Sequence, residues 1–294
     1  MTVPSAATPL GGALARLETR WGSAAVRLAG GGQAGLTVPA EGDRISAPAD
    51  TAGLPSGLPE LDALLGQRGL PPAAAMSLVG AGSSGKTTLA LHWLASAQAQ
   101  GAIAAYLDLG RAFDPLEAAS RGVDLRWLLV LRPAEPDEGF AICGALLTGR
   151  AIELLIVDLP ERLPARHDAT LRRLIAHARR VSARLIVLEP VGLASRLHAA
   201  LAEAVGLRLE LEQRGWLRLG RDIVGRRVGV SVEKSRFGLL GRQADIDIRY
   251  LAEGDLQSAA DRLAHVPGRA TLAETARAAP SARAVAPGTA APAA

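Results

Sequence analysis

Cysteine is nearly absent: Cys143 stands alone, in an apolar stretch of a 294-residue chain. No disulfide framework is possible within the chain, and a lone thiol in such surroundings reads as a core residue of a protein kept in a reducing compartment. No apolar run approaches the roughly 20 residues that span a bilayer, and no basic segment followed by an apolar one opens the chain. A cytoplasmic protein with no membrane partner is expected. Aromatic residues make up only 3% of the sequence, too few for an extended base-stacking surface on single-stranded nucleic acid. Lysine is scarcer still, with Lys86 and Lys234 the only two among 33 basic residues. In a chain that otherwise uses arginine, these two mark places where a compact ammonium is wanted. The net charge of +4 permits a nucleic-acid partner without requiring one.

The length suffices for one large α/β domain with appendages. Leu10, Leu14, Leu17 and Trp21 fall on one helical stripe, and an alternating run, Ala24 to Leu28, follows before the break at Gly30, Gly31 and Gly32. Residues 8–40 therefore read as a helix and strand that pack on something, such as a neighbouring subunit. Residues 41–255 read as the core. A short helix over Leu58–Leu65 precedes strands and helices that alternate from Ala75 to Leu188. That order implies a mostly parallel sheet covered on both faces. After Leu197–Val205 only strand patterns remain, over Gly206–Glu212, Trp216–Leu219, Val228–Lys234 and Asp245–Leu251, and these predict antiparallel hairpins. Residues 256–294 read as a weak helix fading into an Ala/Pro-rich tail that cannot bury enough surface to order itself.

One motif carries chemistry on its own. GAGSSGKT, Gly80 to Thr87, matches G-x-x-x-x-G-K-[ST] in full between an apolar strand and a helix. Gly80, Gly82 and Gly85 let the backbone N–H groups of the loop, with those of Ser83, Ser84 and Thr88, turn toward a phosphate. The helix N-terminus adds a favourable dipole, Lys86 supplies charge, and the Thr87 hydroxyl can ligate Mg²⁺. LLIVD, Leu154 to Asp158, is an apolar strand ending in an acid. Such an acid either holds Mg²⁺ through a water or caps the next helix.

The order of motifs resembles one family, the RecA recombinases. ALARLETRWGSAAVRL (Ala13–Leu28), GSSGKTT (Gly82–Thr88), AYLDLGRAFDP (Ala105–Pro115), GVDLRWLLV (Gly122–Val130) and VGVSVEKSRFGLLGRQADIDIRY (Val228–Tyr250) follow one another as they do in that family. The resemblance implies a RecA-like nucleotide-binding fold with ATP and Mg²⁺ as ligands. It gives Lys86 and Thr87 to phosphate and magnesium, Asp158 to the magnesium shell and Asp114 to the adenine edge. It also implies that Lys234 and Arg236 reach across a subunit interface toward a neighbour's ATP, and that the N-terminal arm joins subunits into a homo-oligomer.

Departures from the family pattern reshape the expected activity. Where the family has a glutamate that activates the attacking water, this chain has Gly110, and where it has a γ-phosphate-sensing glutamine, this chain has Glu189 followed by Pro190. A general base contributes roughly 10²- to 10⁴-fold, so slow or absent hydrolysis is expected unless Glu189 or Glu117 substitutes. The two DNA-holding loops shrink to Pro160–Asp168 and Val191–His198, without aromatics, leaving at most weak contact with single-stranded DNA. The arginines Arg172, Arg173, Arg179 and Arg180 read either as backbone-phosphate contacts or as the solvated face of a helix. No room follows Tyr250 for the family's C-terminal domain. Within the family this combination is similar to the ImuA group, RecA-like accessory proteins of bacterial mutagenesis cassettes. That likeness implies a partner in RecA or an ImuB-like translesion polymerase subunit and a role in the SOS response. The competing reading is an active DNA-dependent ATPase that forms filaments on single-stranded DNA. A small-molecule kinase fits poorly, because the C-terminal third is built of hairpins.

Overall fold

In the computed structural model the described residues are 27–28, 53–66 and 69–250. The helix expected over Leu10–Trp21, most of the arm at 8–40 and the tail at 256–294 lie outside them. The chain runs through β1 (Arg27–Leu28), α1 (Pro59–Leu64), β2 (Ala75–Gly80), α2 (Lys86–Ala99), β3 (Ala104–Asp108), α3 (Pro115–Ser120) and β4 (Leu128–Leu131). It continues through α4 (Pro136–Thr148), β5 (Leu154–Asp158), α5 (Asp168–Arg180), β6 (Arg184–Pro190), α6 (Ser195–Ala204), β7 (Leu207–Leu219), β8 (Asp222–Ser235) and β9 (Gln243–Arg249).

The described strands form one nine-stranded sheet in the order β1-β4-β3-β5-β6-β2-β7-β8-β9. From β4 to β7 every neighbouring pair is parallel, whereas β1 on β4 and the β7-β8-β9 succession are antiparallel. The parallel strands β2, β3, β4 and β5 are buried at every position, which is why they read as continuous apolar runs rather than alternating ones. Alternate residues feed two cores. Leu89, Trp93 and Leu94 of α2 pack with Tyr106 and Ile156 on one face, and Phe140 of α4, Leu171 of α5 and Leu197 of α6 pack with Leu107 and Val157 on the other. Cys143 lies in the second core, where burial pushes its thiol up to about 12. It is the inert core residue its surroundings predict.

The C-terminal third differs from the expectation of four strands. Gly206–Glu212 and Trp216–Leu219 belong to a single long strand, β7, whose pairing with β8 shifts register between Gln213 and Gly215. A bulge there inserts a residue without ending the strand, and its glycine and arginine imitate a turn in sequence. β8 likewise begins at Asp222, six residues before the expected start, because the charged and Gly-containing stretch 222–227 pairs with β7 and β9 beyond the body of the sheet. On α5, Leu171, Leu174, Ile175 and Ala178 are buried and Arg172, Arg173, Arg179 and Arg180 are exposed. The four arginines form a solvated helix face. No helix among the described residues is long and apolar enough to cross a membrane.

Candidate nucleotide-binding site

The parallel strands end together in one crevice. Register sets Val79 of β2 beside Glu189 of β6, Gly80 beside Pro190, and Asp108 of β3 beside Asp158 of β5. Open α/β sheets bind ligands at these carboxyl ends. Here the chain leaves β2 at Gly80, loops through Ser84 and enters α2 at Lys86. Gly85, the residue before the helix, has φ +93°, and a Cβ there would sit 2.6 Å from Ile248 Cδ1 of β9. The left-handed backbone calls for glycine, and the close approach of the Ile248 side chain shows how near the hairpin sheet lies to the loop.

Lys86 is folded over this loop. Its ammonium donates to the carbonyl oxygens of Gly80 and Ala81, the second at 2.8 Å, and lies 3.5 Å from Ser84 Oγ. Burial lowers its pKa, while the charges of Asp158 and Glu161 act in the opposite direction. Thr87 and Asp158 are joined through a third side chain. Tyr106, wholly buried in β3, donates its hydroxyl to Asp158 Oδ2 at 2.8 Å and shares a hydrogen bond with the Thr87 side chain. Burial raises Asp158 to about 6; the Tyr106 hydrogen bond and Lys86 act to lower it, and Asp108 adds to the rise. Asp108 itself shapes the following loop, accepting from Ala112 N at 2.8 Å, Phe113 N at 3.3 Å and Arg132 Nε at 2.7 Å.

This donor set suits a hard cation bridged to phosphate. No group of three or more His, Cys, Asp or Glu among the described residues could hold a metal ion unaided. The Thr87 hydroxyl beside a carboxylate matches the partial, oxygen-only shell that Mg²⁺ takes when phosphate completes it.

Gly110 lies over the same floor, and a Cβ on it would be 3.9 Å from Asp158 Oδ1 with no closer neighbour. The position of the expected base is thus adjacent to the site and carries no side chain. Glu189 is wholly buried, and both of its oxygens are occupied. Arg208 donates to Oε2 at 2.7 Å and to Oε1 at 3.1 Å, and His198 Nδ1 pairs with Oε1. Glu117 is bound to Arg121 one helical turn away at 2.9 Å. Asp114 caps α3, accepting from Leu116 N at 2.8 Å. Lys234 and Arg236 converge on the C-terminus of α6: Lys234 donates to the carbonyl oxygens of Ala202 and Glu203, the latter at 3.0 Å, and Arg236 donates to that of Glu203 at 3.1 Å. Gly82 and Ser83 are exposed at the crest of the loop, and Thr88, the third residue of α2, is buried.

Residues 38–172 match the RecA N-terminal domain. The RecA protein of Acidothermus cellulolyticus is 32% identical over 237 residues, which is 71% of this chain and 68% of that protein. The chain belongs to the RecA family. RecA of Lactobacillus johnsonii is 32% identical over 225 residues, 67% of this chain and 62% of its own length, and RecA of Roseiflexus sp. is 31% identical over 225 residues, 67% and 64%. This RecA-family chain thus spans somewhat less than two thirds of the length of those two relatives. Its fold also matches the crystal structure of the RadB recombinase, with a TM-score of 0.54 over 66% of this chain and 96% of that one at 23% identity.

Tyr106, Arg226, Arg208 and His198 were not singled out in the sequence. A signal existed for Tyr106 alone: two residues before Asp108 in a buried strand, it faces the same way as that acid at the strand's end.

Proposed function

We propose that this chain is a RecA-family protein that binds ATP with Mg²⁺ and serves as an accessory factor in the response to DNA damage, with weak or no hydrolysis. Lys86 and the backbone of Gly80–Thr88 hold the phosphates, Thr87 and Asp158 hold the metal, and Asp114 takes the adenine edge. The observation that carries the reading is the state of the three positions where a base was expected or could substitute. Gly110 provides no base, both oxygens of Glu189 are tied to Arg208 and His198, and Glu117 is paired with Arg121. A site that grips phosphate and cannot activate water works as a clamp, and a clamp suits a protein whose bound state is the signal.

The biological setting follows from the likeness to the ImuA group. The chain regulates or scaffolds translesion DNA synthesis through contact with RecA or an ImuB-type polymerase complex. Lys234 and Arg236 present a basic pair to a neighbouring subunit's nucleotide. The test is ATP turnover measured with and without single-stranded DNA and with and without RecA. Turnover near background in all four conditions, with Mg²⁺-dependent ATP binding that Lys86→Ala abolishes, is the expected result. Robust DNA-stimulated hydrolysis would replace this reading with that of an active filament-forming recombinase.

A further inference from the structure

The sequence places no ligand on Arg226, yet the fold brings it to the phosphate loop. Its Nη1 donates to the carbonyl oxygen of Ser83, 143 positions away in the chain. Nε is buried and has no partner among the described residues. Its guanidinium carbon lies 6.0 Å from the centroid of the Tyr250 ring. The nearby Arg214 and Arg227 each take a carboxylate, Glu212 at 3.1 Å and Asp247 at 2.7 Å. Arg226 has none among the described residues.

The placement is a consequence of the sheet. Across β7, β8 and β9 the register aligns Trp216, Arg226 and Ile248 on one face, and Ile248 is the residue that a Cβ on Gly85 would strike. The row therefore lies against the phosphate loop. The bulge between Gln213 and Gly215 shifts strand parity and so lets Trp216, half exposed, stand opposite Arg226. A guanidinium offers five N–H donors in a rigid fork and keeps its charge at any ordinary pH. A neutral carbonyl occupies one donor and leaves the charge uncompensated, beside a loop built to receive phosphate.

We propose that Arg226 is a nucleotide ligand supplied from the chain's own hairpin, its guanidinium taking a phosphate oxygen of a nucleoside polyphosphate seated on Gly80–Thr87. This rests on the reading of that loop as a nucleotide site. It gives the β7–β8 hairpin a direct stake in whether nucleotide is bound.

The test is titration of full-length protein with a fluorescent ATP analogue and Mg²⁺, with adenosine as a competitor, for the wild type, Lys86→Ala, Arg226→Ala, Arg226→Gln and Arg226→Lys. Arg226→Ala and Arg226→Gln are expected to weaken ATP binding about tenfold or more, the scale of a hydrogen bond to a charged group, while leaving adenosine binding unchanged. Arg226→Lys, which keeps the charge, recovers most of the loss. Glutamine can still donate to Ser83, so wild-type affinity in Arg226→Gln would show that Arg226 only steadies the loop, and would overturn the proposal. Equal losses for adenosine and ATP overturn it too. If Lys86→Ala binds as wild type does, the nucleotide-site reading itself fails and this inference with it. If Lys86→Ala loses binding and Arg226→Ala does not, this inference alone falls. Melting temperatures within a degree or two of wild type show that the variants fold, and a destabilised Arg226→Ala is replaced in the comparison by Arg226→Gln.

Discussion

The Tyr106 hydroxyl donates to Asp158 Oδ2 at 2.8 Å across two adjacent parallel strands, β3 and β5. Among the described residues this is the one neutral side-chain donor to a carboxylate that burial and Asp108 still hold at about 6. Because the folded pKa exceeds the unfolded value near 3.8, the native state holds more protons than the unfolded state between those values. Stability due to this group is therefore full below about pH 4 and declines as pH rises through 6. Asp158→Asn, which keeps an acceptor for Tyr106, is expected to raise stability at pH 7.5 by an amount on the order of 2 kcal/mol and to make no difference near pH 3.5. Thermal denaturation at the two pH values checks this. The same variant should bind ATP with less dependence on Mg²⁺, and a gain in stability that persisted at pH 3.5 would contradict the charge-based account.

Glu189 offers a second test, since its surroundings are ionic and closed. Arg208→Met leaves a buried carboxylate with only His198 beside it and should cost about 3 kcal/mol or more, as single removals from buried pairs do. The double variant Glu189→Leu with Arg208→Met removes both charges and should recover much of that loss. Urea unfolding of the two single variants and the double, compared at constant slope, gives the coupling. Additive costs would mean that the two side chains do not act as a pair.

Legibility in the sequence tracked locality. The proposed phosphate loop is a run of consecutive residues, so Gly80 to Thr87 could be singled out as a motif. Asp158 could be singled out because it ends a buried strand. The Tyr106 contact joins residues 52 apart, the Glu189–Arg208 pair residues 19 apart and Arg226–Ser83 residues 143 apart, and strand order decides all three. The break expected between Glu212 and Trp216 failed for a different reason. A bulge containing Gly215 has the composition of a turn, and only the partner strand distinguishes the two.

Lys234 and Arg236 present a contrast between a role inside the chain and one between chains. Both bond carbonyl oxygens at the C-terminus of α6, where cations are favoured by the helix dipole. Lys234→Ala should therefore cost about 0.3–1 kcal/mol whatever the protein concentration. If the pair also reaches a neighbour's nucleotide, Lys234→Ala with Arg236→Ala will bind ATP normally when dilute and lose ATP-dependent self-association when concentrated. Sedimentation velocity with and without ATP separates the two roles. Unchanged association confines the pair to capping.

Gly110 allows the proposed loss of hydrolysis to be reversed. Its backbone does not adopt the left-handed conformation that would bar a side chain, and the nearest atom to an added Cβ is Asp158 Oδ1 at 3.9 Å. Gly110→Glu should therefore fold and place a carboxylate beside the phosphate site. A competent base is worth about 10²- to 10⁴-fold, so turnover with Mg²⁺ should rise by about 10²-fold over wild type, and Gly110→Gln, of the same shape without the charge, should not rise. A second carboxylate close to Asp158, already near 6, pushes both groups further up. The gain should accordingly be small at pH 6, where the pair shares a proton, and largest above pH 7.5. A glutamate variant no faster than the glutamine variant at pH 8 would show that positioning of water, and not the base alone, has been lost from this site.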